Sequence, residues 1–181
     1  MRLPMITLVE MTAEQRAVHD ATVSGQRGRM TPPVEAWLHS PELAQRAQSL
    51  GEFIRYGTSL PPALNEMAIL VTAKYWGSHY EWFAHRRIAE AAGLDAAVID
   101  AIRDGVEPPL GDAGARAVFD YAMALHRTKQ VPRALHEAMV AVFGTRGVVE
   151  LVGVCGYYTL VSMTLNAFDV PLPEGEISEL K

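Results

Sequence analysis

The sequence predicts an all-α protein. Three observations point to helices. Apolar residues recur at helical spacing, helix start and stop signals follow one another along the chain, and no segment alternates as a half-buried strand does. The 181 residues suit one domain with extensions, and 49% apolar content is ample for a core.

Taken in order, Thr12 caps the first helix, with Gln15 at the capping-box position. Ser40, Pro41 and Glu42 supply a cap, a proline at the first turn and an acid near the helix dipole; Gly57 ends that helix. Residues 61–76 begin with prolines and are apolar nearly all round. The next helix starts at Ser78 and stops at Gly93. Asp95 opens a short helix closed by Gly105, and "VEPPLGDAG" reads as a loop. Asp112 opens the following helix. Pro132 opens a segment to Gly144, Thr145 opens the last helix to about Phe168, and the tail is irregular. The organisation is one domain over 1–181. Residues 1–49 form a helical extension, 50–130 the core, and 131–181 the C-terminal helices and tail.

Bulk properties narrow the function. The net charge is −5, from 16 basic and 21 acidic residues without a basic tract, so no nucleic-acid partner is expected. One cysteine forbids an intrachain disulfide and fits a cytoplasmic location. The start, "MRLPMITLVEMTAEQ", lacks a signal-peptide apolar stretch and cleavage site. Residues 148–165 carry a single charge, Glu150, and have the length of a marginal membrane span. Two tyrosines, several hydroxyl residues and the absence of a second such segment favour a helix buried in the protein or between subunits. Gly153 and Gly156 would allow close approach there, so no membrane partner is expected.

Glu81 and His85 fall within about 40° of each other on an ideal helix. They lie in the middle of its apolar face, among Ile88, Ala89, Ala92 and Trp82. Glu66 repeats the pattern on the preceding helix, beside Ile69, Leu70 and Ala73. An unpaired buried carboxylate costs several kcal/mol, so such groups pair, protonate or serve chemistry. A shared Glu66–Glu81–His85 cluster suits general acid–base catalysis, and it equally suits a buried ionic network joining two helices. Glu81 and His85 could also donate two metal ligands. No HxxxH or thiolate pair accompanies them, and no metal is expected.

Over residues 50–130, and best from Glu66 to Leu94, the chain resembles the carboxymuconolactone decarboxylase family, which shares the alkylhydroperoxidase-D-like fold. The redox branch of that superfamily carries Glu, eleven residues, then Cys-x-x-Cys-x-x-x-His. Glu66 and His85 stand at the Glu and His positions with the spacing intact, and "HRRIAEAAGL" is like the continuation. Ser78 and Glu81 replace the two cysteines, so thiol peroxidase chemistry loses both its attacking and its resolving groups. Cys155, among Val, Gly and Tyr, reads as a small buried hydrophobe.

"HYEWFAH" resembles the decarboxylase branch. That resemblance implies a cofactor-free acid–base lyase or isomerase acting on a small carboxylated lactone, in the first place a carboxy-lyase of aromatic-compound catabolism, with Glu66, Glu81 and His85 as the catalytic set. Its candidate substrate-binding residues are Ser78, Trp82, Tyr157 and Arg86, with Arg86 holding a carboxylate unless it is solvated or lies between subunits. Tyr80 is a further candidate for the pocket lining. The resemblance also implies a homo-oligomer, a trimer or hexamer. The alternatives are a non-catalytic or small-molecule-binding oligomer that keeps the fold and, third, a redox or metal-dependent enzyme.

Overall fold

The computed structural model describes residues 1–181. It consists of eight helices: α1 (Ala13–Ser24), α2 (Pro32–Trp37), α3 (Pro41–Tyr56), α4 (Pro62–Tyr75), α5 (His79–Ala91), α6 (Ala96–Asp104), α7 (Ala113–Thr128) and α8 (Arg133–Ala167). The helix α4 is the hub. Every residue from Asn65 to Ala73 is buried, and α4 touches α5, α6, α7 and α8. An all-round apolar helix is stable only when neighbours enclose it, which explains the unpatterned composition of 61–76.

Local signals behave as expected at most ends. Thr12 and Gln15 form a reciprocal capping box. Asp95 and Asp112 accept from the backbone N–H groups of Ala97 and Ala115. Gly105 closes α6 in the left-handed conformation, at φ 72°. Ser40 precedes α3 but makes no side-chain cap bond. The break expected before Thr145 is a kink: Gly144 takes φ 66° and ψ 176° inside an otherwise continuous α8. The short α2 was not foreseen, because six residues are too few to show a helical period.

The turn between α4 and α5 sets the site. Gly77 adopts φ 55°. Its N–H bonds to Lys74 O, and Ser78 N–H bonds back to Ala73 O. This is the Schellman arrangement, which satisfies the last carbonyls of α4 and reverses the chain. Glu66 and His85 stand at comparable distances from the turn on the two arms, so the reversal brings them side by side.

The helix α8 completes the core. By length and composition it could cross a membrane. In this fold Leu151, Val154, Cys155, Tyr158, Val161 and Leu165 are buried, and the helix lies against α3, α4 and α7. Its one acid there, Glu150, is buried and accepts from the backbone N–H and hydroxyl of Ser59, both at 2.6 Å, and from Arg146 at 2.7 Å. Burial opposes its charge, but the Ser59 and Arg146 bonds hold its pKa below the usual glutamate value.

The tail is irregular, as expected, yet it packs onto α5. Leu180 is buried. Glu179 accepts from Trp82 Nε1 at 3.1 Å and pairs with Arg86, and Glu176 pairs with Arg87 at 2.9 Å.

Close approach matters most at Gly51 of α3. A Cβ there would stand 2.1 Å from the Tyr157 hydroxyl. Gly51→Ala should therefore displace Tyr157 and cost about 1–3 kcal/mol of stability. Urea denaturation would check this; an unchanged midpoint would show that the tyrosine moves freely.

Candidate active site

His85 sits between two carboxylates. Its Nδ1 lies 2.6 Å from Glu66 Oε2 on α4, and its Nε2 lies 2.9 Å from Glu81 Oε1 one turn earlier on α5. All three side chains are buried, with residue exposures of 4–5%. Each ring nitrogen faces an acceptor, so the set is satisfied either by an imidazolium between two carboxylates or by a neutral ring and one carboxylic acid. Burial pulls the His85 pKa down. Glu66 and Glu81 together outweigh it and raise the value from 6.5 to about 9. Moving one proton therefore interconverts the two bonded forms, and that is the property a general acid–base group needs.

Neighbouring elements fix the ring. Tyr158 of α8 stands edge-on to it, with centroids 4.9 Å apart at 77°. Tyr157 meets Tyr158 at 5.3 Å and 90°. Burial pushes the Tyr157 phenol up to about 12, against the pull of the Arg27 guanidinium.

Glu81, His85, Tyr157 and Tyr158 open onto a cavity of about 100 Å³. Arg27, Arg29 and Thr31 from the segment joining α1 to α2, and Arg55 of α3, line it too. Glu66 opens instead onto a neighbouring cavity of about 320 Å³, which shares Arg55 and Ile88. A larger cavity, about 640 Å³, lies between α4, α6 and α7. None of its charged residues is buried, so it lacks the desolvated groups that proton transfer uses.

The structure thus brings Glu66, Glu81 and His85 together and places Tyr157 and Tyr80 at the cavity. Ser78, Trp82 and Arg86 lie elsewhere, contrary to expectation. Ser78 is fully buried at the start of α5. The Trp82 indole is turned to Glu179. Arg86 is taken up by Glu90, Asp100 and Glu179, the acid-rich surroundings that its exposed helix face and the tail provide. Sequence reasoning missed Arg27, Arg29, Thr31, Arg55 and Tyr158. The available signal was "SGQRGRMTPP", which holds two arginines in a stretch without an acid.

The three central groups do not converge on one point as metal ligands would, because the carboxylates occupy opposite edges of the ring. Cys155 is 1% exposed and outside the cavity lining. Burial pushes its thiol up to about 12, leaving it protonated at neutral pH.

Fold and site together define an all-α protein of the alkylhydroperoxidase-D-like kind, built around a buried acid–imidazole–acid cluster. Residues 41–124 match the model of the carboxymuconolactone decarboxylase family. No curated protein matches the sequence. Among solved structures, a cysteine-to-alanine variant of the debrominase Bmp8 in complex with 2,3,4-tribromopyrrole is similar, with TM-score 0.74 and 12% identity over 94% of this chain and 90% of that one. An uncharacterised peroxidase-related protein from Silicibacter sp. TM1040 gives TM-score 0.74 and 16% identity over 93% and 88%. A protein of unknown function from Agrobacterium tumefaciens, suspected to be the antioxidant defence protein AhpD, gives 0.67 and 16% over 76% and 94%. At these identities the likeness is one of fold.

The histidines yield a pH signature. From 6.5 to about 9 the folded chain keeps a His85 proton that the unfolded chain has released, so raising the pH destabilises the fold. The contribution is present below 6.5 and is lost through about 9; it is on the order of 3 kcal/mol. His126 has the opposite sign. Its Nε2 lies 2.9 Å from Thr72 Oγ1, and burial, aided by Lys129, lowers its pKa from 6.5 to about 4. Lowering the pH through that window therefore removes stability. Denaturation midpoints against pH should peak near 6.5, and His85→Gln should flatten only the alkaline limb. An alkaline limb identical in the variant would contradict the cluster's role.

Proposed function

We propose that the protein is a cofactor-free acid–base enzyme, a lyase or isomerase acting on a small carboxylated lactone, with Glu66, Glu81 and His85 handling the proton. The observation that carries this reading is His85 held between two carboxylates, with its Glu81 side open to a cavity. The match of residues 41–124 to the carboxymuconolactone decarboxylase model supports the carboxy-lyase form. In that reaction the bond from carbon to the carboxylate breaks and carbon dioxide leaves. The electron pair delocalises into the lactone carbonyl, and one proton is delivered to carbon. His85 or Glu81 gives that proton, Glu66 holds the ring in place, and water resupplies the proton afterwards. A substrate of this kind carries its own electron sink.

Thiol peroxidase chemistry fits poorly, because Ser78 and Glu81 occupy the motif cysteine positions and Cys155 is buried and protonated. The burial of the whole cluster favours a second reading, in which it is an ionic network without turnover. A direct ultraviolet assay with 4-carboxymuconolactone, run beside His85→Gln, separates the two. The catalytic reading expects wild-type turnover and at least a ~100-fold loss in a variant that still folds. A network alone expects no turnover, together with a fall of about 3–5 kcal/mol in stability.

The same reading carries a homo-oligomer, a trimer or hexamer. Support comes from α8, where Val149, Val152, Leu160 and Met163 form an exposed apolar stripe. Sedimentation velocity should give a mass of several chains, and a monomer at micromolar concentration would contradict it.

A further inference from the structure

Three of the residues around the site cavity are arginines, against one lining carboxylate, Glu81. Arg27, Arg29 and Arg55 form no ion pair in the protein; the exposed Arg2, Arg16 and Arg127 form none either, whereas Arg46, Arg86, Arg87, Arg103, Arg116, Arg133 and Arg146 do. Arg27 is the sharpest case. Its Nε and Nη2 are both shielded from solvent and have no hydrogen-bond partner. These two atoms form the lateral edge of the guanidinium, the pair of parallel donors that grips a carboxylate side-on. Thr31 Oγ1, on the same cavity wall, is also shielded and unpartnered. It stands at the N-cap of α2 but makes no cap bond, so its hydroxyl is uncommitted.

Buried donors without acceptors are rare, and charged ones are the costliest to leave so. The local backbone holds them in place. Gly28 takes φ 68°, Gly28 N–H closes on Gly25 O at 3.1 Å, and Gln26 N–H reaches Glu52 of α3 at 3.4 Å. The two prolines after Thr31 then start α2. The result is a strap tied to α3 that lines the cavity with Arg27, Arg29 and Thr31.

We propose that this strap is the recognition wall of the site and that Arg27 binds a carboxylate of a small anionic substrate, assisted by Thr31, with Arg29 and Arg55 supplying the surrounding positive field. The assignment rests on the acid–base reading only for what happens next to the bound anion; the anion site itself stands on the unpaired donors. A cavity of about 100 Å³ limits the ligand to a compact molecule, since drug-sized ligands occupy roughly 300–1,000 Å³. The strap lies outside residues 41–124, the segment that matches the family. Proton handling therefore belongs to the shared core, and selection of the anion belongs to the extension.

The test uses the full chain, calorimetric titration and thermal melting. Its probes are formate, acetate and 2-furoate, neutral 2-furamide and inorganic phosphate. At least one carboxylate should bind the wild type at millimolar concentration or better and raise its Tm. Arg27→Met should weaken that carboxylate by about 10–100-fold, the range for charge-assisted bonds. Arg27→Lys should also weaken it, having lost the side-on fork. 2-Furamide should bind weakly and alike in all three proteins. Without ligand, Arg27→Met should melt at or above the wild type, because two shielded donors without acceptors have been removed.

Several results would overturn the assignment: no binding by any of the three carboxylates, carboxylate binding indifferent to Arg27, or phosphate bound more tightly than every carboxylate. A ligand-free Arg27→Met that melts well below the wild type would make Arg27 a structural residue instead. The outcome is separable from that of the proposed reaction. Arg27-dependent binding without turnover keeps the anion site and removes the lyase, while turnover unaffected by Arg27→Met keeps the lyase and removes the anion site.

Discussion

The constraint on which the structure turns is the burial of one imidazole between two carboxylates. Such a set is stable only when every polar atom has its partner, because desolvation penalises each charge separately. That requirement explains the precision of the α4–α5 hairpin. The glycine turn fixes the antiparallel register, and the register puts Glu66 and Glu81 on opposite edges of the ring. A shift of one residue in either helix would rotate an ionised group by about 100° into apolar surroundings. The hub position of α4 follows from the same demand, since only a helix enclosed by neighbours can hold Glu66 away from water.

The cluster with a charged His85 carries one excess negative charge, and three arginines without an ion pair line the cavity onto which it opens. The field at the cavity mouth is therefore positive while the proton reservoir behind it is anionic. A ligand anion entering such a cavity is attracted to the guanidiniums and repelled by the carboxylates, which orients it. This division suits a reaction in which an anionic group is anchored or lost while a proton arrives from the other side.

How much of this was legible in the sequence depended on periodicity. Glu66, Glu81 and His85 stood out because a helix has a calculable face and charges on an apolar face are conspicuous. The caps at Thr12, Asp95 and Asp112 were legible because each is a local chemical device. Arg27 and Thr31 were not, because a loop has no period from which to compute a direction. Arg86 misled for a related reason. Its place on the polar face was read correctly, but the acids that occupy it include Glu179, ninety-three residues away on a tail without pattern.

The tail and the strap are in this sense alike: irregular segments whose meaning comes from what they cover. The tail consumes the cations of the outer face of α5, pairing Arg86 and Arg87 with Glu179 and Glu176. The strap leaves its cations unspent at the cavity. The contrast bears on function. If unpaired arginines were merely the residue of a chain with spare positive charge, they would be expected at the surface, where water satisfies them at little cost. Here the net charge is −5, acids outnumber bases, and yet the guanidinium with shielded, partnerless nitrogens is the one beside the proton-handling cluster. A chain rich in acids that pairs none of them with this half-buried guanidinium leaves its two shielded nitrogens free for the carboxylate of a ligand, as proposed.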